Sequence, residues 1–193
     1  QILNLSGCRN LTDAGLLHLA KCKRLKTLKL SYNKRITDVG LGHLVGLQQL
    51  QSLDLCYASI TDDGLRQLSN LSGIQFLNLA YTSITAEGLR QLPRGIRSLK
   101  LTLTSTTDEG LAQLAALPNL QTLDLNWCEN ITNVGLARFL RDHSSIKVMW
   151  SGNFAPLRTR EAIDSFIRCH LTQDQIPDKK PVELSASVGM KMG

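Results

Sequence analysis

Leucines recur along the chain in short alternating patterns at nearly constant spacing. The pattern Leu-x-Leu occurs six times, a weaker seventh copy begins at Val148, and the six strong copies begin at Leu3, Leu28, Leu53, Leu77, Leu99 and Leu123. Successive side chains of a strand point to opposite faces, so the two leucines of each copy lie on the same side. The spacing therefore predicts seven short strands that share one apolar face.

A second motif, Thr-Asp-x-Gly-Leu or a close variant, follows each strong copy. Its threonine is suited to cap a helix, and the acidic residue after it places negative charge at the positive end of that helix. Leucines then continue at roughly helical spacing. The motif predicts a helix after each strand. The helix of the fourth repeat should be brief, because Pro93 cannot continue it.

A unit of 22 to 25 residues with this leucine pattern is typical of leucine-rich repeats. The predicted fold is α/β: a right-handed solenoid with parallel strands on the concave face and helices on the convex face. We expect six repeats and a seventh strand over residues 1–153, a capping helix over 154–171, and a flexible or extended tail over 172–193. Because the sequence opens inside a repeat, we also expect a fragment, a processed product or a chain docked against another subunit.

Two units contain a cysteine at a set position in the turn. They run from Leu3-Asn-Leu-Ser-Gly-Cys8 to Leu16, and from Leu123-Asp-Leu-Asn-Trp-Cys128 to Leu136. Over about residues 1–150 the chain resembles the cysteine-containing leucine-rich repeats of F-box proteins, in the ribonuclease-inhibitor-like superfamily. The resemblance implies a substrate receptor of a cullin-type ubiquitin ligase, with the ligase adaptor and cullin machinery among its partners.

Composition narrows the possible classes of protein. Apolar residues make up 42% of the 193 positions and 36 positions are leucine, which excludes a disordered chain. No apolar run is long enough to predict a membrane span. Five cysteines without paired spacing indicate reduced thiols and an intracellular, most simply cytoplasmic, protein, with the nucleus, cilium and mitochondrion left open.

No group of residues predicts catalysis, a metal site or a cofactor. His18 and His43 occupy equivalent helix positions and are interpreted as solvated surface residues. Cys8 and Cys128 are expected to pack in the turns. Cys56 faces the concave side, but no residue near it in the pattern would activate its thiol. We therefore predict that the protein is not an enzyme.

One repeat position concentrates large exposed side chains. All three tyrosines and one of the two tryptophans share it, although aromatic residues make up only 5% of the sequence. Such residues anchor interfaces, whereas the alternative is that they only shield the turn backbone. With the outward strand positions, the predicted protein-binding residues are Tyr32, Tyr57, Tyr81, Leu103, Trp127, Phe76, Lys29, Asp54, Asn78, Lys100 and Asp124.

The charge of +6 is unevenly placed. A basic patch is predicted at Lys21, Lys23, Arg24, Lys26, Lys34 and Arg35. Its cations could complement helix dipoles or meet an acidic protein partner. Nucleic acid is not expected, because no RNA-binding motif is present. The sequence therefore predicts a protein-recognition module, with a structural subunit of a large assembly as the alternative.

Overall fold

The strands stack in chain order as one parallel sheet. The computed structural model describes residues 1–143, 145–151 and 165. Within them the sheet has seven strands: β1 (Ile2–Asn4), β2 (Thr27–Lys29), β3 (Ser52–Asp54), β4 (Phe76–Asn78), β5 (Ser98–Lys100), β6 (Thr122–Asp124) and β7 (Lys147–Met149). Leu123 pairs with Val148 just as Leu3 pairs with Leu28, so the predicted seventh strand and its register are confirmed.

Six helices alternate with the strands in the described part of the chain. They are α1 (Asp13–Leu19), α2 (Asp38–Gly42), α3 (Asp62–Leu68), α4 (Ala86–Leu89), α5 (Asp108–Leu114) and α6 (Asn133–Asp142). The fold is thus the expected leucine-rich-repeat solenoid. Helix α4 is brief, as Pro93 predicted. Helix α2 is also short, which the spacing did not predict; it ends at Gly42, a residue with low helix propensity.

The leucines and isoleucines of successive repeats form one continuous core between strands and helices. Leu28, Leu53 and Leu123 have at most 1% of their surface exposed, whereas Leu3 of the first repeat is partly exposed. Truncating one such buried leucine to alanine typically lowers the free energy of unfolding by about 2–5 kcal/mol. The core therefore supports every strand from the helix side and leaves the other face of the sheet available.

Polar side chains in the turns satisfy backbone carbonyls. The side-chain amide of Asn33 donates to the carbonyls of Leu30 and Leu5, at 2.9 and 2.8 Å. Cys128 is buried and its thiol donates to the Leu101 carbonyl at 3.0 Å. Cys8, the equivalent residue of the first repeat, is exposed.

A threonine replaces the usual isoleucine of the fifth repeat without leaving an unpaired hydroxyl. Thr106 is fully buried, and its hydroxyl lies 2.8 Å from that of Thr104. The Thr104 hydroxyl donates in turn to the Leu101 carbonyl at 2.7 Å. Since burial of an unpaired hydroxyl is what destabilises such a substitution, the pairing explains how the core accepts Thr106.

The threonine and aspartate of the Thr-Asp motif link neighbouring repeats, beyond their predicted capping role. One carboxylate oxygen of each aspartate accepts the backbone N–H of the next repeat's threonine, and the other accepts its hydroxyl. We call this pair of bonds the aspartate clamp; it joins Asp13 to Thr37, Asp38 to Thr61, Asp62 to Thr85, and Asp108 to Thr132. The clamp is missing where Ala86 takes the aspartate's place.

The motif's glycine makes room for the clamp. A side-chain carbon added at Gly88 would overlap the carboxylate of Asp62, and the same holds at Gly64 for Asp38. Capping by the threonine hydroxyl, the role that the sequence predicted, is seen at Thr37, Thr85, Thr107 and Thr132 but not at Thr12 and Thr61.

The predicted capping helix over 154–171 and the tail over 172–193 lie outside the described residues, apart from Ser165, which is helical and exposed. None of the helices described has the length and apolar character that a membrane crossing requires.

Candidate functional site

The chain turns in the same way just after each strand, at the position where the sequence concentrates its aromatic residues. We call the five residues there the turn ladder. Their φ angles lie between 53° and 62°, in the left-handed region, and the members are Tyr32, Tyr57, Tyr81, Leu103 and Trp127. Gly7 occupies the equivalent position in the first repeat, with φ of 71°. The left-handed region suits glycine, and a bulky residue there is a genuine outlier.

Hydrogen bonds between repeats impose this conformation. The backbone N–H of Tyr32 donates to the Cys56 carbonyl at 2.7 Å, and that of Tyr57 donates to the Ala80 carbonyl at 3.0 Å. The backbone N–H groups of Tyr81 and Leu103 make the equivalent hydrogen bonds in the two following repeats. Each bond extends the strand pairing past the strand end, so the turn is set by the neighbouring repeat rather than by the residue's own preference.

Large parts of the turn ladder are open to solvent. The exposed fractions are 61% for Tyr32, 39% for Tyr81, 41% for Leu103 and 54% for Trp127, with Tyr57 half-buried between its neighbours. The structure therefore brings the predicted residues together as one row at the carboxyl ends of the strands. An exposed row of this kind, rather than scattered apolar side chains, is what marks interaction surfaces.

Three rings of the turn ladder stack on one another. The ring centres of Tyr32 and Tyr57 are 5.1 Å apart, and those of Tyr57 and Tyr81 are 4.0 Å apart, with planes within 18° of parallel. Desolvation is the main reason that the pKa of the Tyr57 hydroxyl is raised above its ordinary value, and the adjacent Tyr81 raises it further. Tyr57 is thus held between two rings, so the faces of the stack open to a partner belong to Tyr32 and Tyr81.

The outward strand positions have more varied roles than the sequence predicted. Asp54, Asn78 and Asp124 each accept the backbone N–H two residues later, at 3.1 Å. These bonds close the start of the turn and give the three side chains a local structural role. Lys29 and Lys100 are exposed at the same position of other repeats.

Phe76 lies at the start of its strand, away from the turn ladder. It is 51% exposed and pairs across the sheet with Ser52 and Ser98, whose small side chains leave its ring uncovered. Phe76 is therefore a separate apolar point on the same face of the sheet.

The predicted basic patch is divided between two edges of the sheet. Lys21, Lys23, Arg24 and Lys26 are exposed and precede β2, whereas Lys34 and Arg35 are exposed and follow it. Extended chain rises about 3.3 Å per residue, so the two groups are roughly 20 Å apart along the strand direction.

Lys34 and Arg35 instead lie close to the turn ladder. With Arg9, Tyr32 and Tyr57 they line an open depression of about 370 Å³. Sequence reasoning missed Arg9, although it follows Gly7 by two residues just as Lys34 follows Tyr32. The comparison of equivalent repeat positions would have identified it.

The thiols and histidines form no reactive arrangement in the part of the chain described. Burial, reinforced by Asp54, raises the pKa of the Cys56 thiol above its ordinary value, which lowers its thiolate fraction at neutral pH. His18 is exposed on α1, and His43 directly follows α2. Within the described residues, histidine, cysteine, aspartate and glutamate form no cluster of three or more that could hold a metal ion.

Known proteins match this chain at the level of its repeats. The leucine rich repeat family matches residues 1–57 and 23–84, and a second family of the same description matches residues 116–140. The chain thus contains leucine-rich repeats, the class that the fold defines. No curated protein sequence matches it.

Two solved structures of internalins from Listeria monocytogenes have a similar fold. The internalin inlF superposes with a TM-score of 0.63 at 24% identity, over 84% of this chain and 44% of that one. Internalin C2 (inlC2) superposes with a TM-score of 0.54 at 22% identity, over 97% of this chain and 67% of that one. The chain spans less than half the length of the first. At these identities the likeness shows the fold alone.

Proposed function

We propose that the protein is a non-catalytic protein-recognition module that binds its partner through the turn ladder. Leucine-rich repeats are generally protein-interaction modules, which supports the class. One observation carries the assignment to the ladder: five successive repeats hold a bulky side chain in the left-handed region, and four of these five side chains are exposed.

Backbone strain is the reason that this observation favours function. A non-glycine residue in the left-handed region is destabilised by about 1–2 kcal/mol, and glycine would relieve that strain. Gly7 occupies the same position of the first repeat without strain. Strained residues that persist are associated with functional sites.

Stacking offers the alternative explanation for part of the ladder. The three tyrosines contact one another and stabilise the turns by shielding them. Leu103 and Trp127 have no such ring contact within the described residues, yet they are as exposed as the tyrosines. Their presence favours an external partner over shielding alone, because Trp and Tyr commonly anchor interfaces.

Within this class we propose the more specific role of substrate receptor for a cullin-type ubiquitin ligase. This role rests on the resemblance of the two cysteine-containing units to F-box proteins. It adds a requirement that recognition alone does not: the ligase adaptor and cullin must accompany the protein in cells.

Affinity capture from native lysate with mass spectrometry tests both levels. Wild-type protein is compared with a variant carrying Tyr57→Ala, Tyr81→Ala and Trp127→Ala. A matched control carries Leu17→Ala and Val39→Ala, two exposed apolar residues on the helix side. Circular dichroism establishes that each variant is folded.

We call the variant with Tyr57→Ala, Tyr81→Ala and Trp127→Ala the ladder variant. The recognition proposal expects that wild type and control both capture a client protein and that the ladder variant does not capture it. Equal capture by all three proteins would overturn the ladder assignment. The ligase proposal further expects cullin and adaptor subunits in all three samples, and their absence would overturn it. A stoichiometric set of subunits retained by the ladder variant would identify an assembly component instead.

A further inference from the structure

The depression beside the turn ladder combines aromatic rings with positive charge. Its lining is Arg9, Tyr32, Lys34, Arg35 and Tyr57, so no carboxylate lies among the residues that line it. All three cations are exposed, and none forms a salt bridge with a described residue. Three positive charges without partners, adjacent to two rings, constitute a surface for an anionic ligand that also has an apolar part.

A missing side chain creates the depression. Tyr32 stacks on Tyr57 on one side, while the equivalent position on its other side is Gly7. A side-chain carbon added at Gly7 would meet no atom within 4 Å. The outer face of Tyr32 is therefore open toward the first repeat, and Arg9 stands two residues beyond that opening. An apolar or aromatic side chain of a ligand can occupy the place that a ring occupies in later repeats.

In the turns that directly follow the ladder residues, positive charge is confined to the first two of the six repeats described. The position of Lys34, two residues after the ladder, is taken by Ser59, Ser83 and Ser105 in the next three repeats and by Glu129 in the sixth. The charge along the turn ladder therefore runs from positive to neutral to negative. A partner that lies along the ladder would be oriented by this gradient, with its acidic end at Arg9 and Lys34.

The geometry favours an acidic peptide over a nucleic acid. Single-stranded nucleic acids need several open aromatic faces on which bases stack, together with a groove that is positive along its length. Here Tyr57 lies between Tyr32 and Tyr81, which removes its faces from the platform. Asp54 lies on the neighbouring strand β3, Asp124 lies further along the sheet on β6, and Glu129 lies at the far end of the ladder, so a phosphate backbone along the ladder would meet negative charge.

We propose that this depression binds an acidic segment of the partner protein: carboxylates pair with Arg9, Lys34 and Arg35 while an apolar side chain packs on Tyr32. Arginine guanidinium groups suit this role because they bind carboxylates with two parallel hydrogen bonds. The inference rests on the proposed function and gives its partner a chemical class. It also assigns a binding role to Arg9.

Selection from a random dodecapeptide phage library tests the inference on the full chain. Three proteins are compared: wild type, a variant with Arg9→Glu, Lys34→Glu and Arg35→Glu, and a matched control with Arg94→Glu, Arg97→Glu and Lys147→Glu. The control makes the same change of charge at exposed residues at or before the start of a strand, so at the opposite ends of the strands. A fourth protein, Gly7→Tyr, fills the opening without altering charge.

Peptides enriched on wild type and control are expected to carry clustered Asp and Glu together with an apolar residue. We call the variant with Arg9→Glu, Lys34→Glu and Arg35→Glu the charge-reversed variant. Synthetic copies of these peptides, measured by fluorescence anisotropy, should bind it at least roughly tenfold more weakly than they bind wild type. The Gly7→Tyr variant should also bind them more weakly. Enrichment without acidic residues, no enrichment, or unchanged affinity in the charge-reversed variant would each overturn the inference.

A uridine oligonucleotide is the second probe. Tighter binding of this RNA than of the selected peptides, lost in the charge-reversed variant, would overturn the inference in favour of nucleic acid. The lysate capture separates this outcome from failure of the proposed function. If the ladder variant loses its client while the charge-reversed variant keeps it, only the acidic-segment inference fails. If both variants keep every captured protein, the ladder assignment fails as well.

Discussion

Asp62 of the third repeat binds Thr85 of the fourth through both oxygens of its carboxylate. One oxygen accepts the Thr85 backbone N–H at 2.9 Å, and the other accepts its hydroxyl at 2.6 Å. Gly88 leaves the space in which that carboxylate lies. Three residues that sequence reasoning assigns to a helix cap and a helix turn therefore also join two neighbouring repeats.

Loss of this clamp should destabilise the solenoid. Asp62→Ala removes two hydrogen bonds to a charged acceptor and is expected to lower the free energy of unfolding by about 1–3 kcal/mol. Asp63→Ala is the matched control, because Asp63 only pairs with Arg66 on an exposed helix surface and such pairs contribute little. Urea denaturation followed by circular dichroism measures both, and equal effects would contradict the role of the clamp.

The missing clamp of the fourth repeat can be restored. Ala86 occupies the aspartate position, Thr107 makes no clamp bond, and Gly110 still leaves the space beside Ala86. Ala86→Asp is therefore expected to raise the free energy of unfolding by about 1 kcal/mol. The gain should disappear when Thr107→Val is added. Ala112→Asp, an exposed substitution within α5, serves as control; a gain of equal size there would point to charge alone.

Backbone strain in the turn ladder is measurable at Leu103. Its φ of 53° suits glycine and disfavours a β-branched residue. The Leu103→Gly variant should be more stable than Leu103→Val by about 1–3 kcal/mol in chemical denaturation. At the exposed helical residue Leu17, the Leu17→Gly variant should instead be less stable than Leu17→Val by about a few tenths of a kcal/mol, because glycine is the poorer helix former. The same order at both sites would refute the assignment of strain.

Burial of Cys128 gives the stability an alkaline limit. Desolvation is the main reason that the pKa of its thiol is raised above the ordinary value of 9.0. Above that pH the unfolded chain loses the proton while the folded chain keeps it, so the free energy of unfolding falls as pH rises. Cys128→Ala should weaken this alkaline decline relative to wild type. Denaturation series between neutral and alkaline pH measure the slopes, and identical slopes would exclude Cys128 as the source.

The repeat pattern was sufficient to predict the strands, their register and the alternation with helices. Leu28 and Val148 are predicted correctly because strand alternation and a fixed period are local properties of the chain. The short α4 followed from Pro93. The short α2 did not follow, because leucine spacing alone cannot show where a glycine ends a helix.

The members of the candidate site could be collected from the sequence because equivalent residues of a solenoid form rows. The contacts that these residues make with one another could not be predicted from the sequence. The stacked state of Tyr57 depends on how far apart neighbouring repeats lie, and the proposed role of Arg9 depends on the side chain that Gly7 lacks. Cys8 was expected to pack like Cys128, whereas Cys8 is exposed and Cys128 is buried.

The sequence by itself determined that this chain is a leucine-rich-repeat solenoid and that Tyr32, Tyr57, Tyr81, Leu103 and Trp127 share one position. Period and alternation are enough for those conclusions. Only the tertiary structure decided that these residues are held at positive φ, that Asp62 clamps Thr85, and that the predicted basic patch is divided between two edges. Each of these depends on hydrogen bonds or distances between residues far apart in the chain, which a one-dimensional pattern does not contain.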